Sequence, residues 1–199
     1  TDTVLSPDHA FYQRLLAGDA IEAVDSASGL KTNAELQTHL ETVAVPALRL
    51  AQADQARGVL TREKATEVAE TFSEALDEIY ADVEEVEIAK PPVIVIAHNG
   101  VLNFAAAVAF SAMLRLRGIP HKMLPQDAVA PGKFPEIDSS ELKIVCFTSL
   151  RPPTPAQMKY LERRIAPHVG QARILIVALS DTQDRSDVFN PSGTVSLLP

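Results

Sequence analysis

The chain has 199 residues, 46% hydrophobic and 22% charged, which is the composition of a globular protein of one or two domains and excludes a disordered one. Its net charge of −8 is uneven: residues 1–90 carry 7 Lys/Arg against 18 Asp/Glu, and residues 91–199 carry 11 against 8. An acidic surface repels phosphate backbones, so no nucleic-acid partner is expected.

The longest apolar runs, such as Val93–Ala97 and Ile174–Leu179, fall far short of the roughly 20 residues a membrane helix needs. No basic start leads into an apolar stretch, so no secretory leader is expected, and Thr1 in place of Met reads as a fragment or a processed chain. The single cysteine, Cys146, allows no internal disulfide, fits a reducing compartment and reads as a packing residue within a strand.

The first half reads as helices. Ser6-Pro7 forms an N-cap with proline at the first helical position, and Gly18 is a natural stop. Asp19 with Glu22 starts a short second helix that ends near Gly29. Thr32 with Glu35 repeats the signal, and Leu36, Leu40, Val43, Ala47 and Leu50 make one apolar stripe on a long helix running to Arg57-Gly58. Pro46 falls inside that helix and predicts a kink, because its ring crowds the carbonyl of Thr42. Thr61 opens a fourth helix with Val68, Phe72, Ala75, Ile79 and Val83 on its buried side. Four amphipathic helices with short connections predict a small bundle over residues 1–88.

Pro91-Pro92 closes this region, and the period changes. Val93–Ala97 reads as a strand buried on both faces. A helix follows from Leu102 to Arg117, then strands at Ile119–Leu124 and Leu142–Thr148. Thr154-Pro155 caps a helix to His168, and strands at Arg173–Leu179 and Thr194–Leu198 complete the series. Between the second and third strands, Pro125, Pro131 and Pro135 predict an irregular crossover. The expected fold class is α/β: a helical bundle followed, over residues 89–199, by a flavodoxin-like (Rossmann-like) five-stranded parallel sheet.

Ligands of open parallel sheets bind outside the carboxyl ends of the strands. Those ends carry His98-Asn99-Gly100, Thr148-Ser149-Leu150 and Ser180-Asp181, beside helix N-termini that favour anions. A small anionic or polar ligand at this edge is expected, with the kinked third helix closing over it. The same residue types also suit turns and caps on backbone grounds alone. His98, Ser149 and Asp181 supply the residue types of a nucleophilic triad, but no G-x-S-x-G elbow exposes the serine. The histidines at 9, 39, 98, 121 and 168 lack metal-ligand spacing, and no Walker A or G-x-G-x-x-G sequence is present.

Leu15-Leu16-Ala17-Gly18-Asp19, Val45-Pro46-Ala47-Leu48 and Gly58-Val59-Leu60-Thr61, placed before an α/β unit, resemble the cobalamin-binding module of methyltransferases and bacterial light sensors. That family has a helical cap on a flavodoxin-like domain. Its D-x-H-x-x-G signature is replaced here: Val101 stands for Asp, Asn103 for His and Ala106 for Gly. Thr148-Ser149-Leu150 echoes the family's S-x-L segment, and Leu179-Ser180 replaces its Gly-Gly.

A narrower resemblance runs through Val4-Leu5-Ser6-Pro7, Phe11-Tyr12-Gln13-Arg14-Leu15-Leu16-Ala17-Gly18-Asp19, Pro46-Ala47-Leu48-Arg49-Leu50-Ala51, and Asp54 with Arg57-Gly58-Val59-Leu60. These are similar to the soluble C-terminal region of long members of the autoinducer-2 exporter family of bacterial permeases. The resemblance implies a cytoplasmic accessory domain of an inner-membrane protein, partnered by the transmembrane part of the same polypeptide. It implies a regulatory or ligand-sensing role without catalysis or cofactor, with His98, Asn99, Gly100, Asn103, Thr148, Ser149, Ser180 and Asp181 as the candidate ligand-binding residues. The alternatives are a cobalamin- or nucleotide-binding module, a small-molecule enzyme using His98, and a structural role in homo-oligomerisation.

Overall fold

A computed structural model describes residues 5–86 and 88–180. Five helices come first: α1 (Pro7–Ala17), α2 (Ala20–Asp25), α3 (Asn33–His39), α4 (Val45–Ala56) and α5 (Arg62–Ile79). There follow β1 (Val93–Ala97), α6 (Val101–Leu116), β2 (His121–Met123), β3 (Ile144–Ser149), α7 (Pro155–Val169) and β4 (Arg173–Ala178). The expected fifth strand, Thr194–Leu198, lies outside the described residues. Among those described, no helix is long and apolar enough to cross a membrane.

The helix starts follow local chemistry. Asp19 accepts the N–H of Glu22, Thr61 accepts that of Lys64, and Thr32/Glu35 and Thr154/Gln157 form complete capping boxes. Gly18 ends α1 in the left-handed conformation, which only glycine adopts at little cost. Ser6 precedes α1 as expected, but its hydroxyl meets the His9 ring at 2.8 Å instead of a backbone N–H.

The long third helix is uninterrupted from Asn33 to Ala56 but not uniform. A π-helical turn, Leu40–Ala44, separates α3 from α4, and the N–H of Val45 reaches five residues back to the carbonyl of Leu40. The expected kink at Pro46 is thus a widened turn just ahead of it. A regular α-turn here would press the carbonyl of Thr42 against the proline ring, and the π-helical turn stands at this point instead.

All strand pairs are parallel, in the order β2-β1-β3-β4. Val95 lies beside Met123 on one side and Cys146 on the other. Strand alternation sends Val93, Val95, Ala97, Cys146 and Val177 to one face, against Ala107, Phe110 and Leu114 of α6. Ile94, Ile96, Val145 and Phe147 take the other face, against Leu161, Ile165 and Val169 of α7 and the crossover residues Leu124, Ala128 and Val129. The crossover holds neither helix nor strand, as its prolines predict. Three strands are shorter than expected, β4 by the single residue Leu179. β2 begins only at His121, since Pro120 has no N–H to donate, and β3 at Ile144, since the N–H of Leu142 turns back to the carbonyl of Ser139.

The first five helices pack on the outer side of α6. Phe11, Leu15, Leu40, Leu48, Phe72 and Leu76 share one core with Leu102, Ala105, Ala106, Ala109 and Leu116 of α6. Within this core the Tyr80 hydroxyl donates to the carbonyl of Leu36 (3.1 Å), so its lone pair accepts from Nδ1 of His39 (3.2 Å). Nε2 of His39 is then a bare acceptor, buried and without a partner among the described residues.

Burial lowers the His39 pKa from 6.5 to about 4. The unfolded chain therefore binds the extra proton first, and stability that is complete above pH 6.5 is lost as the pH falls toward 4. The loss attributable to His39 amounts to about 3 kcal/mol. In denaturant unfolding across this window, His39→Phe should remove that slope while keeping a ring against Phe11, which meets His39 edge-on at 5.6 Å. Superimposable pH profiles for the two proteins would contradict the assignment.

Candidate functional site

The carboxyl edge of the sheet gathers most of the residues singled out in the sequence. β1 runs into His98-Asn99-Gly100 and then α6. Gly100 takes φ +113°, a conformation that side chains rarely adopt, which lets the chain turn at once into the helix. The N–H of His98 donates to the carbonyl of Thr148 (2.8 Å), extending the β1–β3 pairing by one bond. The half-buried ring of His98 stands edge-on to Phe147 at 5.4 Å, with Nδ1 at 3.4 Å from the carbonyl of Asn99.

Asn103, one turn into α6, staples two loops. Its Nδ2 donates to the carbonyl of Asn99 (2.8 Å), and its Oδ1 accepts the N–H of Leu150 (3.0 Å). Both ends of the side chain are thereby committed to the scaffold. Thr148 is wholly buried, and its Oγ1 has no partner among the described residues. Ser149, also buried, donates its hydroxyl to the carbonyl of Arg151 (2.6 Å). Ser149 and His98 are not hydrogen-bonded to each other, so the edge holds no nucleophile–base pair between them.

Ser180 follows β4 and is half-buried. Its carbonyl accepts Nη2 of Arg49 (3.1 Å), while the carbonyl of Leu179 accepts Nε of the same residue (2.7 Å). Arg49 belongs to α4, one turn past Pro46, so this helix touches the backbone just past β4. Leu150 is buried in the helical core, which brings the β3–α7 loop under the same cover. Asp181 lies outside the described residues. His98, Asn99, Gly100, Asn103, Thr148 and Ser149 therefore meet at one edge, with Ser180 just past the end of β4 and its carbonyl held by Arg49.

Cys146 faces α6 within the sheet, and burial raises its thiol to about 11, the behaviour of a packing residue rather than a nucleophile. Among the described residues no group of three His, Cys, Asp or Glu is placed to hold a metal ion. Arg49 is the residue that reading for chemistry passed over. Its segment was noticed only for the pattern around Pro46, and nothing in one sequence pairs it with carbonyls 130 and 131 positions away.

Compared with known proteins, the chain matches no protein-family model and no curated protein.

Removing Asn103 strands the buried N–H of Leu150 and frees the Asn99 loop. Asn103→Ala should cost about 1–3 kcal/mol of stability in urea unfolding, the usual penalty for an unsatisfied buried donor. His98→Ala loses only a ring contact on a half-buried side chain and should cost about 1 kcal/mol or less. The opposite ranking would make His98 the structural residue of this edge.

Proposed function

We propose that this chain is a non-catalytic regulatory domain that senses a small anionic or polar ligand on the cytoplasmic side of a membrane transporter. In this reading, residues 1–88 are a four-helix bundle acting as a cap, and residues 89–199 are a flavodoxin-like, five-stranded domain. The transmembrane part of the same polypeptide is its partner. The all-parallel order β2-β1-β3-β4 supports the flavodoxin-like assignment, since it is a doubly wound order whose ligands lie at the carboxyl edge.

The observation that carries the reading is the grip of Arg49 on the carbonyls of Leu179 and Ser180. It ties a helix of the cap to the backbone just past β4 through hydrogen bonds. A ligand that binds the closed edge better than the open one shifts that balance by its difference in affinity. The segments that carry the permease resemblance also build this part of the molecule. Phe11 and Leu15 sit in the helical core, the Tyr12 hydroxyl donates to Asp54 (2.9 Å), and Arg57 pairs with Asp54.

The residues present do not fit cobalamin. Asn103, where the signature has histidine, is engaged at both ends of its side chain. Ala106, where it has glycine, is fully buried against the helical core. The edge is thus available to a smaller, hydrogen-bonding ligand rather than a corrinoid.

An antibody raised against this chain should detect, in the cells it comes from, a polypeptide larger than 21.5 kDa in the membrane fraction. A 21.5 kDa band in the soluble fraction would contradict the transporter assignment. Calorimetric titration with hydroxocobalamin should give no saturable heat, and micromolar binding would restore the corrinoid reading.

A further inference from the structure

At the other end of the sheet, away from His98, α5, α6 and β2 border an open groove of about 200 Å³. His121 is the first residue of β2 and pairs with Val93 at the start of β1, which sets the groove at the amino ends of these strands. Leu76, Val108, Ala112 and Met123 give it an apolar wall. Ser111 of α6 and His121 line the same groove, both half-buried and hydrogen-bonded to each other.

A third group fixes the direction of that bond. Nδ1 of His121 lies 2.8 Å from the carbonyl of Ile119, which can only accept, so Nδ1 carries the proton of the neutral ring. Nε2 is then a bare lone pair, and the Ser111 hydroxyl donates to it. A hydroxyl held by a base that is itself oriented by a third group is the arrangement that activates a serine as a nucleophile. Hydroxyls inside helices commonly bond the carbonyl four residues back, as those of Thr38, Thr42, Thr66 and Ser73 do here. The Ser111 hydroxyl instead engages a base on another element.

The surroundings select the chemistry. Ser111 lies in mid-helix, where backbone N–H groups are occupied within the helix, so no pair of donors converges on an oxyanion beside it. Asp77 and Glu85, both exposed, border the groove, while the Arg115 guanidinium is engaged by the carbonyls of Val83 and Ala81. This charge disfavours anionic donors, and the apolar wall suits a short acyl chain.

We propose that Ser111 is an acylation site, which takes an acyl group from a neutral activated ester or thioester and keeps it. The Ser111 oxygen bonds to the acyl carbon while Nε2 of His121 takes the hydroxyl proton. The bond to the leaving alcohol or thiol then breaks, and that group departs with the proton, so nothing is oxidised or reduced. An activated donor brings a good leaving group and needs little help from an oxyanion hole. The alkyl ester formed on Ser111 has a poor one, so its hydrolysis is slow and the modification persists. Acylation also removes the hydroxyl proton that ties α6 to β2, which loosens this junction. The inference requires no turnover and stands independently of the strand-end edge and of the transporter assignment.

The experiment treats the full chain with p-nitrophenyl butyrate and follows nitrophenolate release above the spontaneous rate, the intact mass and the modified peptide. Release should stop after one equivalent per chain, with one butyryl group gained, on Ser111. Ser111→Ala should lose this burst. His121→Gln, which keeps the hydroxyl but lacks the imidazole, should acylate about a hundredfold more slowly. The anionic p-nitrophenyl phosphate should leave Ser111 unmodified. The position of the butyryl group in the natural chain decides even where a variant fails to fold. The proposal is overturned if no butyryl group is gained or if it lands elsewhere, if either variant reacts as fast as the natural chain, if Ser111-dependent release continues past one equivalent, or if the phosphate ester modifies Ser111.

Discussion

Helix α6 has no fully exposed residue along its sixteen positions, and the rest of the chain is arranged around that fact. A helix that is apolar on nearly every side must be covered on nearly every side. One face meets the sheet through Ala107, Phe110 and Leu114, and the opposite face meets the first five helices through Leu102, Ala105, Ala106 and Ala109. The alanines let both layers approach closely. The helical segment is thus a second wall that α6 requires, and the apolar core runs without a break from Phe11 and Phe72 into α6.

The candidate site at the strand ends follows from this arrangement. The N-terminal end of α6 meets the strand ends, where Asn103 pins the two neighbouring loops and Arg49 brings α4 down onto β4. The C-terminal half of α6 lies beside β2, and its Arg115 reaches across to the turn after α5. Each end therefore has a junction between the helical layer and the sheet, and junctions between packed units are where ligand pockets concentrate. A ligand at the strand ends would report on how closely the two layers are packed.

What the sequence revealed and what it concealed divide along the range of the interactions. Caps at Thr32, Thr61 and Thr154, the stop at Gly18 and the change of period after Pro91-Pro92 depend on neighbours a few residues apart, and one chain displays them openly. The proline at 46 announced a distortion, but whether the helix bends or widens depends on which turn the tertiary packing can accommodate. Asn103 looked like a ligand residue because it occupies the position of a signature histidine. Its amide instead satisfies a backbone N–H 47 positions away, which no local pattern encodes. Such long-range pairings, like that of Arg49, are properties of the packed layers and have no local sequence signal.

The central claim is that the helical layer and the sheet are one cooperative structure joined through α6. Native-state hydrogen exchange under increasing denaturant tests it most directly, because it resolves the opening free energy of each element. The slowest amides of α5 and of β1 should exchange through openings of equal free energy and equal denaturant dependence, merging into one global unfolding event. If the α5 amides instead open at a clearly lower free energy while β1 and β3 stay protected, the two layers are separable units and α6 does not bind them into one.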